Sequence, residues 1–540
     1  MMNNVITVLS DKCNGCGVCL RRCPVSEANI VTKSGKGKMI VSVNADKCIG
    51  CGACISVCTA KARTYVDDID TCMSKIRSEK MVILVDPSIK VLYPNRWKSI
   101  LDWFRNNNCF VYDASFGYDI AAWAVMKSIA GKATPNMISP SCNAISNYIR
   151  MYKPGLIKNL SSVYSPDVCM AVFVRNYLGQ RNPIVFLSPC IAKKIDHMTS
   201  GIINYDITFE HLMQYFESNN IAVPSEVYTD MDYEFENKGM PQAGFACEHP
   251  GGFALNMMDH NFDANVMSSS GIPHVYSELD SFASVSVSKL PAYYEAFSCE
   301  HGCCTGQASG VRPNIFESTV HMKHLEDDVR LALNKGKSFK SLSDDKLYKK
   351  FDEELDMADF ICMHRAGSYS IVPSNDAINA VFDDMGKHTD KDRNRNCGAC
   401  GYDTCREMAI AVSRGLNVKE NCVAEARKAA LSCETANMQL APSLTDDVES
   451  VVQKISMIIE SNDANGDKMR TVSSLLDKVI QFCTDSHVLD EDAVHQMIQI
   501  LEIIIDAFDV FDDNTTIMQQ TVSDIRDLIQ KLSSTPLLTN

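Results

Sequence analysis

Ile184-Val185-Phe186-Leu187-Ser188-Pro189-Cys190-Ile191-Ala192-Lys193-Lys194 is the stretch whose reading decides the fold. Its four leading apolar residues read as a buried strand, and Pro189 ends that strand at a cysteine and a lysine pair. Met81-Val82-Ile83-Leu84-Val85 has the same form and ends at Asp86-Pro87-Ser88. Helical patterns lie between, among them Ile120-Ala121-Ala122-Trp123-Ala124-Val125-Met126. Strands that deliver polar groups at their C-terminal ends, with helices between them, imply an α/β arrangement with its chemistry at the strand ends.

Upstream, Cys13, Cys16, Cys19 and Cys23 precede Pro24, and a second run follows at Cys48, Cys51, Cys54 and Cys58. Two-residue gaps in a tight loop bring three thiolates to one cluster, and the fourth comes from elsewhere. The tandem pattern resembles bacterial ferredoxins, with Thr59 in place of the second proline. That resemblance implies an α+β domain over 1–75 with two 4Fe–4S clusters, Cys58 completing the first and Cys23 the second. Gly15, Gly17, Gly50 and Gly52 suit loops that turn sharply and point amides at sulfur. Zinc seldom uses eight cysteines in this tandem form.

The bulk composition narrows the class. A chain of 540 residues holds several domains, and 46% hydrophobic with 22% charged residues is ordinary for globular protein. Its 24 cysteines are not ordinary, and their spacings are those of metal ligands. No export signal is evident at the start, so a reducing cytoplasm is the expectation. No window approaches the roughly 18 apolar residues of a membrane span. A formal charge of −15 argues against nucleic acid and fits contact with other proteins or redox partners.

Three further motifs stand far apart: Ser139-Pro140-Ser141-Cys142, the quoted Ser188–Lys194 segment, and Glu295-Ala296-Phe297-Ser298-Cys299 running to Gly302-Cys303. In order and spacing they resemble the signature loops of the iron-only hydrogenases, over about 80–370. The resemblance implies a two-lobed α/β domain in which Cys142, Cys190, Cys299 and Cys303 hold a 4Fe–4S cubane. Cys303 would also bridge to a diiron subcluster with carbonyl and cyanide ligands. Lys193 matches the lysine that binds one iron-bound cyanide, and Pro87-Ser88 the loop whose amides bind the other. An anionic acceptor in an apolar cavity needs such charge-assisted donors. Gly251-Gly252-Phe253 resembles a glycine pair that lets the backbone approach the site.

The departures fall on the proton route. Ser141 stands where a relay cysteine is usual, and a hydroxyl is far less acidic than a thiol with a pKa of about 8.5. No carboxylate lies between Asp119 and Lys132, where the family carries relay glutamates. Asn143 replaces a proline, Ser188 and Phe297 replace methionines, and Gln307-Ala308 interrupts a glycine triplet, whereas Asp196 keeps the usual acid. Ligands retained with the relay lost resembles the sensory branch, which implies binding or slow interconversion of hydrogen with protons and electrons. Enzyme and sensor both stay open. The alternative is an iron–sulfur carrier or electron-transfer protein without the diiron unit.

Cys397, Cys400, Cys405 and Cys422, within 390–425, resemble a small appended 4Fe–4S module, although four thiolates also suit zinc. Beyond it, 426–540 reads as amphipathic helices through Val448, Val451, Val452, Ile455, Ile458 and Ile459, then Val472, Leu475, Leu476, Val479 and Ile480. Two more follow through Ala493, Val494, Met497, Ile498 and Leu501, and through Val522, Ile525, Leu528, Ile529 and Leu532. A bundle core explains such stripes, and so does a dimerisation or output surface. The expected partners are a redox protein such as ferredoxin, a signalling protein in trans, and a second copy through these helices. Cys72, Cys109, Cys169, Cys247, Cys304, Cys362, Cys433 and Cys483 read as small hydrophobes.

Overall fold

In the computed structural model, four parallel strands form one sheet in the order β6-β5-β8-β9: β5 (Val82–Val85), β6 (Phe110–Asp113), β8 (Ile184–Ser188) and β9 (Tyr205–Thr208). The described residues are 5–35, 38–131, 134, 136–223, 244, 249–259, 264–333, 346–367, 373–423, 448, 450–456, 472, 474–476, 479, 498–505 and 516–534. Val82, Leu84, Ile184 and Phe186 face one apolar core, while Ile83, Val85, Val185 and Leu187 face another. Helices cover both faces, as continuous Val/Ile/Leu strands require. Helix Ser115–Ala130 is buried nearly all round, and a side chain on Gly117 would lie 2.2 Å from the Pro166 carbonyl of helix Pro166–Asn176.

A second parallel sheet, β10-β11-β7, contains β7 (Met137–Ile138), β10 (Val266–Ser270) and β11 (Tyr293–Phe297). Both sheets belong to a compact unit of Tyr65–Tyr369 with Met1–Val5 and Ile49–Gly52.

The other unit comprises Ile6–Cys48, Ala53–Thr64 and Ser370–Asn540. Its ferredoxin part has β1 (Ile6–Val8) paired with β4 (Arg63–Tyr65), and β2 (Asn29–Lys33) antiparallel to β3 (Met39–Val43). Sequence reading separates this part from the C-terminal segment; the structure gives them one core. Leu20, Val31 and Met39 pack with Met385, Tyr402, Met408 and Cys422. Arg21 donates to the Gly398 carbonyl at 2.7 Å, and the Val31 amide to the Leu416 carbonyl at 2.9 Å. Helix Asn375–Asp384, which lies before the expected module boundary, packs Ile378 and Phe382 on Cys405 and Ala409.

The C-terminal stripes form a core as expected: Val448, Val451, Ile455, Val472, Leu475, Leu476, Val479, Leu501, Val522, Ile525, Leu528 and Leu532 are buried together. Cys16 packs against that core. Ile458, Ile459, Ile480, Ala493, Val494 and Met497 lie outside the described residues, as do Cys247, Cys433 and Cys483. Cys72, Cys109, Cys169 and Cys304 are buried and unbridged, and Cys362 is half-buried. No helix among the described residues is long and apolar enough to cross a membrane.

Candidate metal centre

Four strand ends build the centre: β7 runs into Ser139–Cys142, β11 into Ser298-Cys299, β8 into Pro189-Cys190, and β5 into Asp86-Pro87-Ser88. Cys142, Cys190 and Cys299 lie within electrostatic reach of one another. Cys303 opens a short 3-10 turn. That turn approaches the Cys190 loop so closely that a side chain on Gly306 would lie 2.4 Å from the Pro189 carbonyl. Amides aim at the sulfurs: Ser298 N–H donates to Cys142 Sγ at 3.4 Å, and those of Ala144 and Ile145 also reach it. Burial pushes these thiols up, Cys190 to about 12, and at Cys142 and Cys190 the nearby Lys193 ammonium works against it. Bare, they hold their protons; iron is the charge that would displace them.

The donor set therefore fits a cubane. A four-iron cube takes its cysteines at separate corners. The same holds in the second unit, where Cys397, Cys400, Cys405 and Cys422 line one cavity with buried Lys387. Lys387 Nζ lies 3.8 Å from Cys405 Sγ. In the ferredoxin part, buried Arg63 donates to Cys19 Sγ at 3.2 Å and lies in the field of Cys54. Burial pushes Cys23 and Cys54 up to about 12. Gly15, Gly17, Gly50 and Gly52 all hold φ of +72 to +75°.

The loop carrying Cys51 packs beside the central cysteines. A side chain on Gly50 would lie 2.9 Å from Ile195, and one on Gly52 2.8 Å from Gln307. Asn147 Nδ2 donates to the Ile49 carbonyl at 3.3 Å. Tyr276, in the field of Cys51, Cys142 and Cys299, shares a 2.9 Å hydrogen bond with Ser298.

Around Lys193 the structure adds what the sequence did not reveal. Lys193 is buried, and its ammonium lies 3.1 Å from Asp86 Oδ2 and 3.8 Å from Asp167 Oδ1. His197 bridges Asp167 and Asp206 with its two ring nitrogens. Burial opposes charge on His197, but Asp206 and Asp167 outweigh it and lift its pKa to about 10. Burial works against the Asp167 carboxylate too, yet Lys193 and His197 hold it below the usual carboxylate range. Three carboxylates thus meet two cations. Ser88 gives both its amide, at 3.2 Å, and its hydroxyl to Asp86 Oδ1. Lys193 and Ser88 are donors of the right kind for a dicyanide diiron unit, and they lie together. Both already face one carboxylate. A second anion about 4 Å from that carboxylate would be repelled by about 4 kcal/mol at an effective dielectric near 20, so the donors fit such a unit and Asp86 competes with it for them.

Ser141 is buried and accepts a 2.9 Å hydrogen bond from Ser139 Oγ. Asp196 binds Ser165 Oγ at 2.8 Å and Arg150 at 3.4 Å, lining a cavity of about 160 Å³ with Asn143 and His364. Gly251 has φ +91°, and a side chain there would meet no protein atom within 4 Å, so left-handed backbone rather than close packing explains the glycine. The residue that fixes this turn is Glu295, whose carboxylate accepts the Gly251 amide at 2.8 Å and the Phe253 amide at 3.2 Å. Burial raises it to about 8 against those bonds. Its place two residues from Phe297 on a strand was the available signal.

Residues 97–307 match the family model of the iron-only hydrogenase large subunit, C-terminal domain. Residues 12–62 match a 4Fe-4S dicluster domain, and 394–424 a model for an Fe-S cluster segment. No curated protein matches the chain. Similar solved structures include a glutamate-to-glutamine variant of FeFe-hydrogenase HydA1 from Chlamydomonas reinhardtii, at 12% identity and a TM-score of 0.42 over 56% of this chain and 100% of that one. The HydA(deltaEFG) structure on stepwise H-cluster assembly is 14% identical, with a TM-score of 0.42 over 56% and 99%. An apo cysteine-to-histidine variant of the Chlamydomonas enzyme is 12% identical, with a TM-score of 0.42 over 56% and 100%.

Proposed function

We propose, from the premise that residues 97–307 are an iron-only hydrogenase large-subunit domain accompanied by two further iron–sulfur segments, that this chain binds hydrogen or interconverts it slowly and serves as a sensor. The observation that carries this is Ser141, whose buried hydroxyl is tied to Ser139. Two neutral hydroxyls exchange protons reluctantly at neutral pH, and losing a positioned acid removes roughly 10²–10⁴-fold of rate. The helix segment Ala121–Val125 that would continue a relay is wholly apolar and buried.

The cubane and the ferredoxin-type clusters supply one-electron steps, and any diiron unit would supply the hydrogen chemistry. Cys142, Cys190, Cys299 and Cys303 would hold the first, and Lys193 and Ser88 would orient the second. The Gly50–Gly52 loop and Tyr276 support electron entry on the Cys51 side. Signal output through the C-terminal helices, to a partner or a second copy, belongs to the same proposal.

A second reading, an electron carrier with cubanes only, is favoured by Asp86 holding both cyanide donors. The test is hydrogen evolution by the fully loaded chain against its Ser141→Cys variant. The sensor reading expects the variant to be faster by roughly 10²-fold. Equal rates, both fast, would overturn it.

A further inference from the structure

We infer that Asp86 is an internal anion that occupies the donor set of the diiron unit and sets how tightly that unit is held. The inference rests on the hydrogenase-type reading of the central domain and concerns what governs its loading.

Asp86 is 0% exposed and sits at the C-terminal end of β5, beside the end of β8 that carries Cys190. Its two oxygens divide the available donors. Oδ1 takes the amide and hydroxyl of Ser88, and Oδ2 faces Lys193 at 3.1 Å. An Asp-x-Ser turn alone explains the first half. The same turn recurs one strand away, where Asp113 Oδ1 takes the Ser115 amide at 2.8 Å and the Ser115 hydroxyl. The turn does not explain the second half. Lys193 comes from the cubane loop, its own amide reaches Cys190, and its charge is felt at Cys142. A carboxylate whose partners are a cubane-loop lysine and a backbone amide satisfies the donors that two cyanides would need. It does so with one negative charge from within the chain.

The consequence is competition. An incoming anionic complex must turn Asp86 away or bind beside it, with Asp167 also 3.8 Å from the same ammonium. Asp167 keeps His197 as a second partner, so Asp86 is the carboxylate that can be removed with least loss. Like charges brought together in an enclosed site cost enough to weaken binding by an order of magnitude or more.

The experiment uses the full chain reconstituted with 4Fe–4S clusters. A synthetic diiron complex bearing carbonyl and cyanide ligands is titrated into the natural chain, Asp86→Ala and Asp86→Asn. Bound diiron is read as protein-retained carbonyl and cyanide infrared bands and as iron beyond the cubane content. The expected result is retention on the order of tenfold tighter in Asp86→Ala, with cyanide bands shifted as Lys193 turns to the ligand. Asp86→Asn, which keeps the turn and drops the charge, should follow it. Equal affinity in all three would overturn the inference and leave the sensor reading standing. Retention by none, with cubanes complete, would overturn both and leave the electron carrier. Cubane iron and thermal unfolding report whether each variant is folded.

Discussion

Two aspartates at neighbouring strand ends do the same local job and serve different ends. Asp86 follows one buried parallel strand and Asp113 ends its neighbour, and each caps an Asp-x-Ser turn and faces a lysine. Lys90, the partner of Asp113 at 2.5 Å, lies four residues past Asp86, keeps 11% of its side chain exposed and lies 5.8 Å from the Trp97 ring. Lys193, the partner of Asp86, keeps 2% of its side chain exposed, faces a second carboxylate and comes from the Cys190 loop. The turn is a property of local sequence. The difference in chemistry comes from the element each lysine arrives on, and from whether its charge can reach water.

The largest effect expected from breaking this contrast is on stability. His197→Ala leaves Asp167 and Asp206 buried without their shared cation and should cost about 3–5 kcal/mol in denaturant unfolding. Asp113→Ala, whose lysine can turn to solvent, should cost only about 1–3 kcal/mol.

pH sharpens it further. The folded-state pKa of His197, about 10, stands above its ordinary 6.5. Its stabilisation is therefore complete below about pH 6.5 and disappears as pH rises through about 10. Asp167 has the opposite sign: its contribution is present above the ordinary carboxylate range and is lost on acidification. Thermal unfolding of the natural chain should decline between pH 6.5 and 10, and His197→Gln should flatten that slope.

Metal content separates the two strand ends more finely. Cys190→Ala should lose one cluster's worth of iron and its electron paramagnetic signal, while Asp113→Ala should keep every cluster. An unchanged iron count in Cys190→Ala would remove that cysteine from the ligand set.

Much of this was legible because cysteine spacing and strand ends are written locally. Cys13 to Cys23, Cys397 to Cys422 and the strand before Pro189 declare themselves within a few residues. The charge network does not. Asp86, Asp167, His197 and Asp206 look like ordinary surface residues in the chain, and only folding buries them together. Glu295 opens the motif that runs to Cys303, but its partners at Gly251 and Phe253 lie more than forty residues away. The core joining Leu20 and Met39 to Met408 and Cys422 was equally hidden, because each stripe looks complete as a small domain of its own.

The most direct test of the sensor account is infrared spectroscopy on chain loaded at saturating diiron complex, before and after hydrogen, with turnover measured on the same sample. The account predicts carbonyl and cyanide bands that shift under hydrogen while hydrogen evolution stays roughly 10²-fold below that of Ser141→Cys. Bands that ignore hydrogen, or turnover that already matches the variant, would contradict it.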